Sequence, residues 1–274
     1  MAEGRAITIY EEIHPKEKEG NQSVHTEFLK RLQAMLPLTC RPIVITDAGF
    51  KNPWFKAVLN LGWDYIGRVR GKTKYKDEHT CRTLNHLSKT AKQTPHYAGE
   101  KILSKKNPLT THFYLYRHKL VGRKKYTRNG QVSQHKDSKS YSKGYREPWL
   151  IVSSLKGYNC AQRIIKIYTK RMTIEEGFRD MKSSRYGFSM EDNNTLKPER
   201  LNVWFLLATL ASLIAWLTGY AGEAKGLHLQ FQANTVKSHR VLSFFYLGCQ
   251  IIRKKMKIPI NINQIEFMDE ELCL

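Results

Sequence analysis

Between Pro42 and an Asp47-Ala48-Gly49 turn lies the unbroken β-branched run Ile43 to Thr46 (IVIT). Such a run, short and framed by turn residues, is expected for a strand covered on both faces, and a strand of that kind needs layers of helix around it. The flanking sequence supplies them. Ala6 to Ile13 (AITIYEEI) reads as a strand, and Ser23 to Leu36 has helical periodicity, with Phe28, Leu29, Leu32, Met35 and Leu36 on one side. Asn52 to Leu61 predicts a second helix with Pro53 suited to its first turn, and Trp63 to Val69 returns as a strand. Strand, helix, strand, helix, strand predicts an α/β sheet with a parallel portion, whose functional residues belong at the carboxyl ends of strands.

At Gly71 the texture changes. Residues 71–150 hold 19 Lys/Arg against 5 Asp/Glu, and six of the ten histidines. That segment alone is +14 in a chain whose formal charge is +22. A one-sided concentration points to a binding surface for a polyanion, nucleic acid before an anionic membrane. Apolar β-favouring runs at His112 to Leu120 and Trp149 to Ser153 interrupt it, so residues 71–155 are read as a basic, β-rich insertion with polar loops. Helical patterning resumes near Asn159 and continues to about Lys257. The organisation expected is a first core part over 1–70, the insertion over 71–155, a second core part over 156–200 and a helical region over 201–274. With 274 residues, 41% of them hydrophobic, disorder is excluded.

Five scattered cysteines without a C-x-x-C pair suggest a reduced, cytoplasmic protein, and the first fifteen residues lack the apolar core of a secretory signal. Leu201 to Leu217 (LNVWFLLATLASLIAWL) has the composition of a membrane span but is short for one, and is read as a buried core helix. No membrane partner is expected, since the basic segment has no amphipathic helical pattern.

Two acidic positions could carry chemistry. Asp47 ends the buried strand, where its carboxylate emerges at the carboxyl edge; the plainer account is an aspartate of a turn. Glu175 lies in IYTKRMTIEEGFRDMK. On a continuous helix, Tyr168, Arg171, Glu175 and Lys182 would fall within about 60° of arc, with Ile167, Ile174, Phe178 and Met181 in an adjoining stripe that docks the helix on the core. A hydroxyl, a guanidinium, a carboxylate and an ammonium in line suit a divalent metal flanked by phosphates. A solvated face of ion pairs such as Arg171 with Glu175 explains the same spacing.

The spacing Y-x2-R-x3-E-x6-K resembles the Y-R-E-K signature of bacterial DDE transposases of the insertion-sequence-four family. TDAGF-x3-WF at Thr46 to Phe55 resembles the segment around their second catalytic aspartate. LGWDYIGRVRGK, EPWLIVSSL and HLQFQANTVKSHRVLSFFYLG look like further blocks of the branch nearest the insertion-sequence-ten enzymes. The resemblance covers nearly the whole chain. It implies an α/β, ribonuclease-H-like catalytic core interrupted by a β-rich insertion and followed by a mainly helical carboxyl-terminal part. It also implies phosphoryl transfer dependent on Mg2+, with Mn2+ a plausible substitute. Asp47 and Glu175 carry over as the second and third catalytic, metal-binding acids. Tyr168, Arg171 and Lys182 carry over as contacts to the DNA backbone, and Trp149 as a tryptophan that stacks on a flipped base. The implied partners are double-stranded DNA, as transposon ends and target, and a second transposase subunit in a synaptic complex. The implied place is the bacterial cytoplasm, on the nucleoid when bound.

The pattern departs from the family at one point: no aspartate precedes Asp47. Glu11 and Glu12 end the AITIYEEI strand, but the resemblance places that strand after the aspartate-bearing one. The expectation is a chain that begins inside the core, with catalysis on its own impaired. The rival readings are a non-enzymatic DNA-binding protein or dominant-negative inhibitor of a full-length transposase, and an independent ribonuclease-H-like nuclease using other acids.

Overall fold

The computed structural model describes residues 5–77, 80–118, 126–127, 129–139, 147–157, 160–183 and 197–260. The chain divides into two compact units, one of Gly20–Arg171 and one that comprises Met1–Glu19 together with Met172–Leu274.

The unit Gly20–Arg171 is built on one seven-stranded sheet: β1 (Ile43–Thr46), β2 (Asp64–Val69), β3 (Lys74–Lys76), β4 (Cys81–Thr83), β5 (His96–Leu103), β6 (Leu109–Tyr116) and β7 (Trp149–Ser153). Their order is β1-β2-β7-β6-β5-β3-β4. β1 and β2 are parallel, with Ile43 opposite Asp64 and Thr46 opposite Gly67, and helix α2 (Asn52–Asn60) makes the crossover that a parallel pair requires. The other pairings are antiparallel, so the strands of the basic segment continue the sheet that β1 and β2 begin.

Helices cover both faces. α1 (Gln22–Met35), capped by the Asn21 side chain, and α2 lie on one side. There Trp54, Phe55 and Val58 meet Tyr65, Val69, Phe113, Leu115, Leu150 and Val152. The alternate residues Ile66, Tyr114 and Ile151 face the opposite side and bury against Ile164, Ile165, Ile167 and Tyr168 of α4 (Ala161–Thr169). The short α3 (Leu84–Ser88) follows β4.

A polar thread fixes the centre of the sheet. Tyr65 Oη donates to Thr111 Oγ1 at 2.7 Å, Thr111 Oγ1 to the Ser153 carbonyl at 3.0 Å, and Ser153 Oγ to the Tyr65 carbonyl at 2.7 Å. Burial pushes the Tyr65 phenol up to about 12. Gly67 follows on β2, where a Cβ would stand 2.4 Å from the Phe55 ring. Its missing side chain lets that ring stack on Tyr65, with centroids 4.6 Å apart.

The other unit is helical: α5 (Met172–Lys182), α6 (Pro198–Ala224) and α7 (Phe244–Arg253). α6 and α7 cross at glycines. A Cβ on Gly219 would lie 1.8 Å from the Phe244 carbonyl oxygen, and one on Gly248 would lie 1.7 Å from that of Ala215. Arg5 ties the amino-terminal segment to α5 through Glu176 at 2.8 Å and Asp180 at 2.7 Å.

Four expectations are corrected. AITIYEEI is not a strand: Ile7 packs against Trp216 and Phe244, Glu12 bonds both Tyr10 and His14, and among the described residues no ladder partner straightens the backbone. The stretch from Tyr168 to Lys182 is not one helix, because α4 ends at Thr169, Lys170 and Arg171 form a turn, and α5 starts at Met172. Ile167 and Met181 are buried, but Ile174 and Phe178 are 44% and 47% exposed, so half of the intended docking stripe faces outward. Finally, α6 is covered on one side only. It is long and apolar enough to cross a membrane by length and composition, yet Val203, Leu206, Leu207, Leu210 and Ile214 stand exposed. The strand expected over His112 to Leu120 runs from Leu109 to Tyr116, and residues 119–120 fall outside the described ones.

Two predictions follow from this packing. Gly67→Ala forces the Phe55 ring off Tyr65 and should cost about 1–3 kcal/mol in urea unfolding. His112 is buried with Nδ1 2.9 Å from the Tyr97 hydroxyl. Burial lowers its pKa, and the Lys156 charge adds to this while Glu100 opposes it. The contribution is therefore fully present above about pH 6.5 and falls away as pH drops through that value, when the unfolded chain takes up a proton the folded one resists. His112→Gln should flatten the stability–pH curve in that window, as denaturant titrations at stepped pH would register.

Candidate functional site

The pairing pattern brings four strand ends to one end of the sheet. The carboxyl ends of β1 and β2 are neighbours, and β7, antiparallel to β2 and β6, begins beside the ends of both. On the α4 side of this end lie Asp47, Arg68, Trp149 and the last turn of α4 with Tyr168, followed by Arg171.

Asp47 leaves β1 exposed, and its Oδ1 accepts the Gly49 backbone N–H at 2.8 Å. The turn aspartate and the strand-end carboxylate are therefore the same group: one bond to the turn sets its direction and leaves most of its acceptor capacity. Phe50 and Trp54, with rings 4.7 Å apart, anchor the following residues to α1 through His25 and Phe28.

Trp149 is half-buried between two tyrosines, with centroids 5.8 Å from Tyr116 across the β6–β7 pair and 5.1 Å from Tyr168, both edge-on. Tyr168 is 2% exposed. Its hydroxyl is buried and makes no hydrogen bond of full geometry, although the Arg171 guanidinium stands 5.8 Å from its ring. Burial raises its pKa; the Arg171 and Arg68 charges, and a contact with the Arg171 side chain that falls short of full hydrogen-bond geometry, pull it down, and the Asp47 carboxylate pushes it up. The two arginines and the aspartate are thus close enough to act on one phenol.

Arg68 was not singled out by sequence reasoning. It sits on β2 two residues after Ile66, so it shares the α4 face. Burial lowers its pKa, with Arg70 and Arg171 adding to that and Glu147 opposing it. Its Nη2 lies 3.9 Å from Glu147 Oε2, and its Nε is buried without an acceptor. Two signals were available: period-2 alternation turns Arg68 inward, and Glu147 is one of very few acids in the basic segment.

Glu175 and Lys182 belong to the other compact unit. Both are exposed on α5, seven residues apart and so on one helix face, with Glu175 in the first turn. Its neighbour Glu176 pairs with Arg5. Of the six residues expected at the site, Asp47, Trp149, Tyr168 and Arg171 are gathered in one unit, and Glu175 and Lys182 lie on the second.

A magnesium ion takes several oxygen ligands in strict geometry. Asp47 and Glu175 are of the right chemical kind, but among the described residues no three carboxylates, imidazoles or thiols come together to hold a metal. What the cluster offers is cations, buried donors and aromatic faces beside one carboxylate, an arrangement suited to a phosphodiester substrate.

The class is a mixed α/β protein with its polar cluster at the carboxyl ends of parallel strands. The chain belongs to the transposase DDE domain family, whose model matches residues 12–214. No curated protein matches it. Membership makes DNA its substrate and places it among enzymes that cut and transfer DNA.

Because the Tyr168 hydroxyl is buried with no full-geometry partner, Tyr168→Phe should leave stability unchanged or raise it by about 1 kcal/mol. Urea unfolding of the variant beside the parent chain measures this; a clear loss would mean that the hydroxyl is satisfied in the folded protein.

Proposed function

We propose that this chain is a catalytic-core portion of an insertion-sequence-four transposase, in the branch nearest the insertion-sequence-ten enzymes, with the ribonuclease-H-like fold of that family. The observation that carries the reading is the gathering of Asp47, Trp149, Tyr168 and Arg171 at one sheet end, in a chain of the transposase DDE domain family. Its domains are read as core over 1–70 and 156–200, basic insertion over 71–155 and helical region over 201–274. Its partners are transposon-end and target duplexes and a second subunit, in the bacterial cytoplasm.

Each residue has a distinct task. Arg171 and Lys182 hold phosphates by charge, and Tyr168, which carries over from the family as a DNA-backbone contact, is buried here and serves to seat Trp149 and Arg171. Trp149, already edge-on to two tyrosines, presents aromatic surface to an unpaired base. Asp47 and Glu175 are the acids that Mg2+, or Mn2+ in its place, would use; when bound, such an ion supplies charge stabilisation to phosphoryl transfer.

A second reading is a non-enzymatic one, in which the chain binds DNA without cutting it and acts as an inhibitor of a full-length transposase; the same cluster of cations and aromatic faces supports it. An independent nuclease is the weakest rival, and it predicts cleavage that persists in Glu175→Ala.

The test is a transposon-end duplex with the purified chain, with Mg2+ and with Mn2+. Binding should weaken steeply with salt, and Arg171→Ala should lower affinity about tenfold and reduce the salt slope by about one. Clean nicking abolished by Asp47→Asn favours the enzyme; binding without nicking, together with inhibition of an intact transposase, favours the inhibitor. Absence of DNA binding at low salt overturns both.

A further inference from the structure

The Arg68 side chain on β2 is 18% exposed, and a charge so far removed from water needs acceptors to offset its lost hydration. Few are at hand. Its Nε is buried with no hydrogen-bond partner among the described residues. Its Nη2 stands 3.9 Å from Glu147 Oε2, within charge attraction but beyond a hydrogen bond. A settled arginine–carboxylate pair closes to about 2.7–2.9 Å, often through two parallel bonds. Arg70 and Arg171 act on the same guanidinium, and Glu147 is the carboxylate that opposes them. Three cations thus bear on one loosely held acid. Pro148 narrows the backbone freedom of the residue before it, so Glu147 is set at the entry to β7, two residues from Trp149. All these residues belong to the unit Gly20–Arg171.

We propose that Glu147 is a displaceable counter-ion, an autoinhibitory contact that holds Arg68 until a phosphate of the DNA backbone takes its place. The inference rests on the proposed function and adds a regulation of that same site. Both sides of the exchange favour it. A phosphate carries acceptors in several directions and reaches the forked donors that Glu147 leaves unbonded. Glu147 is itself 52% exposed, so its carboxylate returns to water having lost only a weak, screened pair. The contact also sets a threshold. An anion gains at Arg68 only the excess of its own attraction over that of Glu147. A lone anion gains little, whereas a backbone with neighbouring phosphates engages Arg70 and Arg171 in the same step and exceeds it. A chain of +22 attracts every polyanion. A resident carboxylate beside Trp149 keeps loosely held ones out of the site.

Equilibrium binding of a transposon-end duplex to the full chain at about 100 mM salt tests this, beside thermal shift with inorganic pyrophosphate as a small probe. Glu147→Gln should tighten both ligands about fivefold, the order of a part-exposed ion pair. Glu147→Asp keeps the charge but draws it back by one methylene, so it should tighten binding nearly as much. The gain should vanish in an Arg68→Met background, because the carboxylate then has nothing to release. Should Arg68→Met misfold, the Glu147→Asp result, at an exposed position, decides alone. Glu147→Gln equal to the parent, Glu147→Asp equal to the parent, or a gain that persists with Arg68→Met overturns the inference and leaves DNA binding standing. The expected gains with pyrophosphate but no binding of the duplex keep the counter-ion and sink the transposase reading instead.

Discussion

The pairing of β2 with β7 is the constraint on which the rest of the sheet depends. β2 alone has a parallel neighbour on one side and an antiparallel one on the other, so it joins a crossover unit to a meander made from distant sequence. Tyr65, Thr111 and Ser153 lock that join by hydrogen bonds among buried groups, and a change of register would break them and leave buried polar groups unpaired. A slip of one residue would turn Arg68 toward Phe55 and Ile66 away from α4. The polar cluster is a product of this register: Arg68, Trp149 and the carboxyl end of β1 share a face because the central pair is in phase.

The cluster also accounts for the place of the basic segment. Its strands are the far side of the same sheet, running from β7 through β6 and β5 to β3 and β4. Some of its charge has structural work: Lys101 pairs with Asp77 at 2.9 Å, and Arg117 donates to the Ala91 and Ser88 carbonyls. The sheet can thus be both scaffold and electrostatic approach to the end where Asp47 sits, with a field that falls off over a Debye length of about 10 Å at moderate salt.

How much of this was legible in the sequence depends on where each signal came from. WLIVS declared itself because both of its faces are covered, so composition alone marks it; IVIT is a strand as expected, but it lies at the edge of the described sheet and of its residues only Thr46 is fully buried. α1 and α2 are set by apolar spacing, with Asn21 and Pro53 at their starts, and they lie within a residue or two of the expected limits. AITIYEEI failed because alternation shows that a segment can be a strand, not that a neighbour will pair with it. The break at Lys170 and Arg171 was hidden because the i+3 and i+4 spacings on either side of a turn resemble those of an unbroken helix. Asp47, Trp149, Tyr168 and Arg171 were legible as residues and meet in space. Arg68 was not, since a single arginine in a strand is usually read as its solvent side. The outward face of α6 was obscured for a similar reason: an all-round apolar helix reads as core, and sequence does not say which sides have a partner.

The glycine seam between α6 and α7 has a consequence for how this helix can change over time. Because Gly219 and Gly248 meet carbonyl groups directly, the seam fixes the rotation of α6 about its own axis as well as its position. Individual residues of the outer apolar side can be exchanged for others of similar size, but the count of residues between that side and the seam cannot. One residue gained or lost between Leu210 and Ala215 would swing the two sides by about 100° relative to each other. The segment is therefore free in identity and rigid in length, and its descendants should vary by substitution there while insertions and deletions collect in the loops on either side.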